Sequence, residues 1–454
     1  MSISNMDNSS SSELRYQQAL DWLFSRLPMF SRIGGAAYKP GLERVVALSE
    51  FFGNPHTKFP SIHIAGTNGK GSTSHMLASV LQAAGFKTAL YTSPHLVDFR
   101  ERIRINGKMI PKEEVVKFVE KWRDTHYDGD APSFFELTMI MAFDWFAKEG
   151  VDIAVIETGM GGRLDSTNII TPLLSVITNI SFDHTQFLGS TLPQIAAEKA
   201  GIIKPGIPVV IGEAEGDVES VFEEKATQTN SPLIKAYRLS DAYNFRSSPD
   251  SGGWMFESYS FGPLHCDLAG DYQKKNINTV LAALSYLKDR LNISTDAVSN
   301  GLRNVESSTG LAGRWMVLRH SPTLICDTGH NQAGLSYSMP RLESMLSEAI
   351  ANAPEGVGPK LRMVIGFVAD KDVEHILPLF PKNAEYYFTN AAIPRAMPVE
   401  DLLKLAGSHH LSGHPFATVE EAATQALADA SPEDIIFIGG STFVVADFLK
   451  SRSH

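Results

Sequence analysis

Short apolar runs alternate along the first half of the chain with stretches in which apolar residues recur every three or four positions. Five such runs predict strands, at 61–65, 87–92, 151–158, 173–180 and 208–211. The stretches between them predict helices, including one that begins near Lys70, one at 133–150 and one at about 192–203. Strands that alternate with helices indicate an α/β fold built on a parallel sheet.

The pattern changes in the second half of the chain. Residues 254–268 alternate between apolar and polar and predict an antiparallel hairpin appended to the parallel sheet, and a helix is expected at about 276–291. A fresh set of strands, alternating with helices, begins at Trp315, Thr323, Leu361, Ala384 and Asp434. We therefore predict two α/β domains, at 1–308 and 309–454.

Composition narrows the class of protein. The chain has 454 residues, 43% hydrophobic and 20% charged, with a net charge of −11, which argues against a nucleic-acid or membrane-surface protein. No run approaches the roughly 18 apolar residues of a membrane span. Two cysteines, Cys266 and Cys326, are too few for a disulfide framework, so we expect both in the core of a cytoplasmic protein. The Ser/Asn-rich segment from Met1 to Glu13 predicts a frayed terminus.

A glycine-rich segment joins the first predicted strand to the helix that follows it. It consists of Gly66, Thr67, Asn68, Gly69, Lys70, Gly71 and Ser72. Backbone N–H groups and the positive end of a helix bind phosphate in such a turn, and a lysine reaches the outer phosphates. The spacing departs from the strict P-loop pattern, because Ile64 stands five positions before Gly69 and Gly71 separates Lys70 from Ser72.

Three polar residues, Ser93, Glu157 and His184, follow the carboxyl ends of predicted strands, where ligands bind in open parallel sheets. Hydroxyl and carboxylate oxygens suit Mg²⁺, and an imidazole is a less usual ligand for it. Each residue also has a plain structural interpretation, as a turn serine, an ion-pair partner and a loop histidine. Their joint position beside a phosphate loop favours a nucleotide-binding metal site.

Several motifs resemble those of the folylpolyglutamate synthase and dihydrofolate synthase family. They read HIAGTNGKGS at 63–72, TSPH at 92–95 and ETGMGGRLDSTN at 157–168. The resemblance continues through 183–184, 198–201, 273–276, 313–314 and 327–331 and covers nearly the whole chain. This family is similar in architecture to the Mur ligases. The resemblance implies a large N-terminal P-loop-like ATPase domain, with helices on both faces of its sheet, and a smaller C-terminal Rossmann-like domain.

The resemblance also implies an activity, the ATP-dependent ligation of L-glutamate to dihydropteroate, to reduced folates or to both, through an acyl phosphate. Lys70 and a bound Mg²⁺ would neutralise phosphate charge. Ser93, Glu157 and His184 would hold the Mg²⁺. Lys199 is expected to carry a carbamate that ligates a second cation. Without the resemblance, Lys199 reads as a solvated helix residue.

Further positions acquire roles from the same resemblance. Asn276 is expected to face the adenine, Arg314 the phosphates across an interdomain cleft, and Asp327 the nucleotide, with His330 near the reacting groups. Residues 327–331 read DTGHN where many members have DGAHN, so the glycine is displaced by one position. The loop that carries Arg163 and Asp165 is expected to bind substrate.

Two other functions stay open at the level of sequence: a cell-wall amino-acid ligase of the Mur type, and a nucleotide-binding module without catalysis. The GKGS ending of the glycine-rich segment, at 69–72, and the DSTN motif at 165–168 favour a folate ligase over a cell-wall ligase. The joint presence of Glu157, His184, Lys199 and Arg314 speaks against the second. We expect a monomer without nucleic-acid or membrane partners.

Overall fold

A computed structural model describes residues 4–29, 41–248, 252–356 and 358–452. These residues form two compact units. The first comprises residues up to 180, 184–241 and 276–310, and the second comprises 181–183, 242–275 and residues from 311 onward. The domain boundary at residue 308 stays a prediction, but the units are not continuous in sequence, because 242–275 group with the C-terminal residues.

The first unit contains an eight-stranded sheet with the order β4-β3-β2-β5-β1-β6-β7-β8. Its strands are β1 Ser61–Ala65, β2 Thr88–Tyr91, β3 Ile103–Ile105, β4 Lys108–Met109, β5 Ile153–Glu157, β6 Leu174–Ile177, β7 Val209–Ile211 and β8 Leu233–Lys235. The neighbouring pairs along the sheet from β2 through β5, β1, β6 and β7 to β8 are all parallel. At the other edge, β3 pairs antiparallel with β2, and β4 pairs antiparallel with β3. Every position of β1 and β5 is buried, as expected for strands with both faces covered.

Helices connect these strands and cover the sheet. They are Ser4–Arg26, Glu43–Phe51, Lys70–Ala83, Lys112–Asp124, Phe134–Glu149, Thr185–Leu188, Leu192–Ala200, Asp217–Gln228, Ala236–Leu239, Gln273–Leu291, Thr295–Arg303 and Val305–Thr309. Ser133 and Glu136 form the capping box that their spacing indicates, and Gly150 ends that helix in the left-handed conformation.

The expectation of a frayed N-terminal segment is wrong for the described residues, because a helix runs from Ser4 to Arg26. Tyr16 and Leu23 are buried in the core, and Arg15 pairs with Glu120 at 2.7 Å. The polar composition of the first dozen residues shows no apolar periodicity, so the sequence pattern did not indicate a helix there.

The second unit contains two sheets. A six-stranded sheet has the order β12-β13-β17-β14-β15-β16, and a three-stranded antiparallel sheet has the order β11-β10-β9. The strands are β9 Ala242–Ser247, β10 Trp254–Ser258, β11 Gly262–Cys266, β12 Met316–His320, β13 Thr323–Cys326, β14 Leu361–Ile365, β15 Glu385–Phe388, β16 Gly413–Pro415 and β17 Ile435–Gly439. The helices are Gln332–Asn352, Val373–Ile376, Val399–Ser408, Val419–Ala428 and Thr442–Ser451.

The predicted hairpin at 254–268 exists, but its attachment to the parallel sheet is wrong. It pairs instead with β9, and these three strands make a sheet of their own. Cys266 and Cys326 are buried thiols, as expected. In the part of the chain that the structure describes, no helix has the length and apolar character needed to cross a membrane.

Candidate active site

The glycine-rich loop follows β1 and begins the helix Lys70–Ala83. Gly66 has a φ of +148°, and a Cβ there would lie 1.8 Å from the hydroxyl oxygen of Thr178. Gly69 has a φ of +81°, and its Cβ would lie 2.2 Å from Oδ1 of Asn276. Both glycines are therefore required by conformation and by space. Asn276, expected to face adenine, lies against the phosphate loop in this structure.

Residues after β6 hold the loop in place. The N–H of Thr67 donates to the carbonyl of Asn179 at 2.9 Å, and the N–H of Asn68 donates to the Asn179 side chain at 2.9 Å. The hydroxyl of Thr178 donates to the carbonyl of Asn68 at 2.6 Å. Sequence reasoning missed Thr178 and Asn179. Their signal was their position near the end of the predicted strand 173–180, a neighbour of β1 in the sheet.

Two lysine side chains meet at the start of the loop. Nζ of Lys70 donates to the carbonyls of Gly66 at 3.1 Å and Thr67 at 3.2 Å. Nζ of Lys199, from the helix Leu192–Ala200, donates to the same Gly66 carbonyl at 2.9 Å. Lys199 is 3% exposed, so its reading as a solvated helix residue is wrong. Lys70 thus places a positive charge beside the N-terminus of a helix, an arrangement that suits a polyphosphate.

The predicted metal ligands Ser93 and Glu157 lie together. Oε2 of the buried Glu157 accepts a hydrogen bond from the N–H of Ser93 at 3.0 Å. A carboxylate and a hydroxyl are hard oxygen donors of the type that Mg²⁺ prefers. His184 precedes the short helix Thr185–Leu188 and has a φ of +50°. Among the described residues, no three His, Cys, Asp or Glu side chains are grouped as a metal site.

The loop that follows β5 is organised around Asp165. Oδ2 of this buried carboxylate accepts the N–H of Met160 at 2.8 Å, and Oδ1 accepts the N–H of Thr167 at 3.0 Å. The hydroxyl of Thr167 also donates to Oδ1. Burial raises the pKa of Asp165 even though these hydrogen bonds act in the opposite direction. The carboxylate therefore holds the loop closed on itself.

The same loop packs on the helix that carries Lys199. The guanidinium of Arg163 contacts Oε1 of Glu198 at 2.8 Å, and its backbone N–H donates to the Glu198 carbonyl at 2.7 Å. The side chain of Asn168 donates to the Gly201 carbonyl at 3.1 Å. Gly201 fits closely, because a Cβ there would lie 2.3 Å from the Cα of Arg163. The loop is thus fixed on this helix by contacts at its middle and at its C-terminal end.

In the second unit, Asp327 follows β13 and is buried. Its carboxylate accepts the hydroxyl of Tyr272 at 2.7 Å and the N–H groups of Trp315 at 2.9 Å and Gly329 at 2.6 Å. Burial raises the pKa of Asp327, which these donors and the charge of Arg314 counteract. Sequence reasoning found Asp327 and Arg314 but missed Tyr272.

A second polar cluster of this unit surrounds Asp183. Its carboxylate pairs with Lys371, lies 3.5 Å from the amide nitrogen of Asn331 and lies 3.7 Å from Nε2 of His330. Nδ1 of His330 lies 3.0 Å from the carbonyl of Thr328. The structure therefore brings His330 to a carboxylate and a lysine. No motif in the sequence marks Lys371 as a member of this cluster.

Comparison with known proteins shows similarity along nearly the whole chain. The family models "Mur ligase middle domain" and "Mur ligase, glutamate ligase domain" match residues 64–284 and 313–442. A dihydrofolate synthase/folylpolyglutamate synthase of Bacillus subtilis is 30% identical over 449 residues, which cover 96% of this chain and 98% of that protein.

Two solved structures give the same picture. FolC of E. coli, in complex with DHPP and ADP, is 29% identical with a TM-score of 0.77, covering 96% of this chain and 97% of that one. The bifunctional enzyme of Yersinia pestis, complexed with AMPPNP and a Mn ion, is 28% identical with a TM-score of 0.77, covering 97% of this chain and 98% of that one. The predicted fold class of two α/β domains, the larger one N-terminal, is confirmed.

Proposed function

Since the chain belongs to the dihydrofolate synthase/folylpolyglutamate synthase family, as its motifs predicted, we propose that it joins L-glutamate to both dihydropteroate and reduced folates. It is an ATP-dependent ligase that attaches glutamate to folates and uses a divalent metal. Use of both acceptors is supported by relatives of similar length in Bacillus subtilis and E. coli, each named for both activities. These relatives favour a folate acceptor over a cell-wall precursor and a ligase over a binding module.

The observation that carries the proposal is the position of Lys70, whose ammonium donates to the carbonyl of Gly66 at the N-terminus of the helix Lys70–Ala83. An acceptor carboxylate and the γ-phosphate are both anionic, so their approach needs positive charge at this position. We infer that the carboxylate attacks the γ-phosphorus and ADP leaves. The amino group of glutamate then attacks the acyl carbon, which yields the amide, phosphate and a proton.

Glu157, Ser93 and His184 are the residues that we propose for the metal, because the carboxylate of Glu157 already lies against Ser93. Bound Mg²⁺ would neutralise phosphate charge at this edge of the sheet. Arg314 and Asp327 are proposed to contact the nucleotide, and His330 the reacting groups, as the family motifs imply. Arg163 and Asp165 are proposed to act in the loop that binds the acceptor.

We also propose that Lys199 carries a carbamate. Its burial and its shared acceptor with Lys70 make a second ammonium at this position costly, and a carbamate would replace it with oxygen ligands. Labelling with ¹³C-bicarbonate should give a carbamate signal that Lys199→Ala lacks and the surface variant Lys148→Ala keeps. Acetate is expected to restore part of the activity of Lys199→Ala. An active Lys199→Ala enzyme without the signal difference would exclude the carbamate.

ADP release tests the proposed function directly. The purified protein with ATP and Mg²⁺ should release ADP with dihydropteroate plus L-glutamate and with tetrahydrofolate plus L-glutamate. Omission of either the acceptor or glutamate should reduce release to background. Activity with only one acceptor would restrict the proposal to that reaction, and release that needs neither would contradict ligation altogether.

A further inference from the structure

His63 lies in β1, three residues before the phosphate loop, and is fully buried. Its Nε2 lies 2.8 Å from the hydroxyl oxygen of Thr167, a residue 104 positions away in the loop that follows β5. A buried imidazole is costly unless it is hydrogen-bonded, and the contact with Thr167 supplies that hydrogen bond.

The direction of the hydrogen bond follows from its neighbour. Thr167 has one hydroxyl hydrogen, and its oxygen lies so close to Oδ1 of the buried Asp165 that the hydrogen is donated there. The Thr167 oxygen must therefore accept from Nε2 of His63. Burial, with the charge of Lys204, lowers the pKa of His63 to about 3, so the ring is neutral with its hydrogen on Nε2.

The chain of hydrogen bonds ends on the loop backbone. Asp165 also accepts the N–H groups of Met160 and Thr167, which span the turn from one side to the other. We call His63, Thr167 and Asp165 the His63 relay. It connects the strand that leads into the phosphate loop with the loop at 159–168.

We propose that His63 is a positioning residue, which acts through Thr167 to hold Asp165 and the loop at 159–168 in the conformation that binds the folate acceptor. This inference rests on the proposed function, because the acceptor is the ligand assigned to that loop. Nδ1 of His63 has no hydrogen-bond partner within the described part of the chain, so the Nε2 bond is its one polar anchor there.

The position of His63 allows a sharp distinction between this role and a merely structural one. A general disturbance of β1 would reach the phosphate loop three residues later and raise the KM for ATP. Loss of the relay would instead release the loop at 159–168 and raise the KM for the acceptor. The change in the KM for the acceptor, relative to the change in the KM for ATP, therefore distinguishes a positioning role from a merely structural one.

The experiment compares variants that remove the relay with variants that keep it. Thr167→Val and His63→Leu remove the hydroxyl and the ring donor, and we expect each to raise the KM for dihydropteroate about tenfold or more with the KM for ATP within about twofold. Thr167→Ser keeps the hydroxyl and His63→Gln keeps an N–H donor, so each should retain the wild-type KM for dihydropteroate. The double variant should be no worse than either single one, because the residues act as a unit.

Thr88→Val is the matched control. Thr88 is buried at the start of β2, and its hydroxyl donates to the nearby Phe86 carbonyl at 3.1 Å. It should leave both KM values unchanged. Equal increases in the two KM values for Thr167→Val, or no increase in either, would overturn the inference. A KM for dihydropteroate raised as much by Thr167→Ser as by Thr167→Val would overturn it as well. A wild-type protein inactive with every folate acceptor would instead refute the proposed function.

Discussion

Lys70 and Lys199 come from different helices and donate to one backbone carbonyl, that of Gly66. The glycine places this carbonyl through a φ of +148° that other residues rarely adopt. The first turn of the helix Lys70–Ala83 adds N–H groups that have no acceptor within the helix, as at any helix N-terminus. Single residues here therefore determine charge at the phosphate site without contributing to a hydrophobic core.

Lys70→Ala should reduce ligation at least about a hundredfold, because charge stabilisation of a transition state is typically worth about 3 kcal/mol. Folding should be little affected, since the side chain is only partly buried and donates to two loop carbonyls. Steady-state ADP release and a thermal melt measure the two effects. The surface variant Lys148→Ala is the control, and near-normal turnover of Lys70→Ala would exclude the phosphate-loop assignment.

Glu157→Gln should weaken the dependence of ATP turnover on Mg²⁺, because it replaces an anionic oxygen with a neutral amide of nearly the same volume. The amide oxygen can still accept the N–H of Ser93, so the local fold is retained. Titration with Mg²⁺ during ADP release should show a higher half-saturating concentration. The exposed Glu149→Gln serves as the comparison, and an unchanged titration curve for Glu157→Gln would remove this residue from the metal shell.

At the scale of elements, the loop at 159–168 and the helix Leu192–Ala200 form one packed assembly. Arg163 contacts Glu198 through both backbone and side chain, and the backbones of Arg163 and Gly201 are in close contact. The conformation of Gly201 is ordinary, so only the absence of a side chain matters at this position. This packing fixes the loop relative to Lys199.

Gly201→Ala should destabilise the protein by about 1–3 kcal/mol, because the added methyl group meets backbone atoms that cannot rotate away. Gly407→Ala is the matched control. It lies in the helix Val399–Ser408, and apart from its chain neighbours and the adjacent helix backbone no atom of the described residues comes within 4 Å of an added Cβ. The substitution should stabilise the protein by up to about 1 kcal/mol. Unfolding curves distinguish the two. Equal stabilities would show that the loop moves freely away from the helix.

At the scale of the whole molecule, the chain crosses between its two compact units more than once. Residues 242–275 lie before the predicted boundary at 308 yet belong to the unit that contains the C-terminal sheet. Within that unit, the guanidinium of Arg341 lies 5.3 Å from the rings of both Trp254 and Trp315. Tyr272 holds Asp327 at 2.7 Å. The segment therefore packs against the C-terminal residues of this unit, and its Ala269 lies in the unit's hydrophobic core.

A fragment of residues 309–454 should consequently be less stable than the same residues in the full chain. It lacks Trp254 and Tyr272, so Asp327 loses a donor and Arg341 loses an aromatic partner. Hydrogen exchange of the amides in β13 should be faster in the fragment than in the full chain. The substitution Tyr272→Phe in the full chain should also speed the exchange of these amides. Equal protection in fragment and full chain would mean that the boundary at 308 separates two independent units.

Local patterns in the sequence determined a large part of this fold. The sequence predicted the bounds of β1, the capping box at Ser133 and the loop between Gly66 and Ser72. Each of these features depends on residues that are close together in the chain. The family motifs added the nucleotide and folate chemistry. Ser93 and Glu157 were predicted to meet because parallel strands end at one edge of a sheet, and they do.

Only the tertiary structure decided which distant residues share a contact. The partners of His63 and Lys199 lie more than a hundred positions away, and the pair of Asp183 with Lys371 spans 188 positions. The short edge strands β3 and β4 were missed, since two or three residues carry too little alternation to be seen. Such contacts form because the fold brings distant segments together. The periodicity of apolar residues along the chain does not indicate which segments will meet.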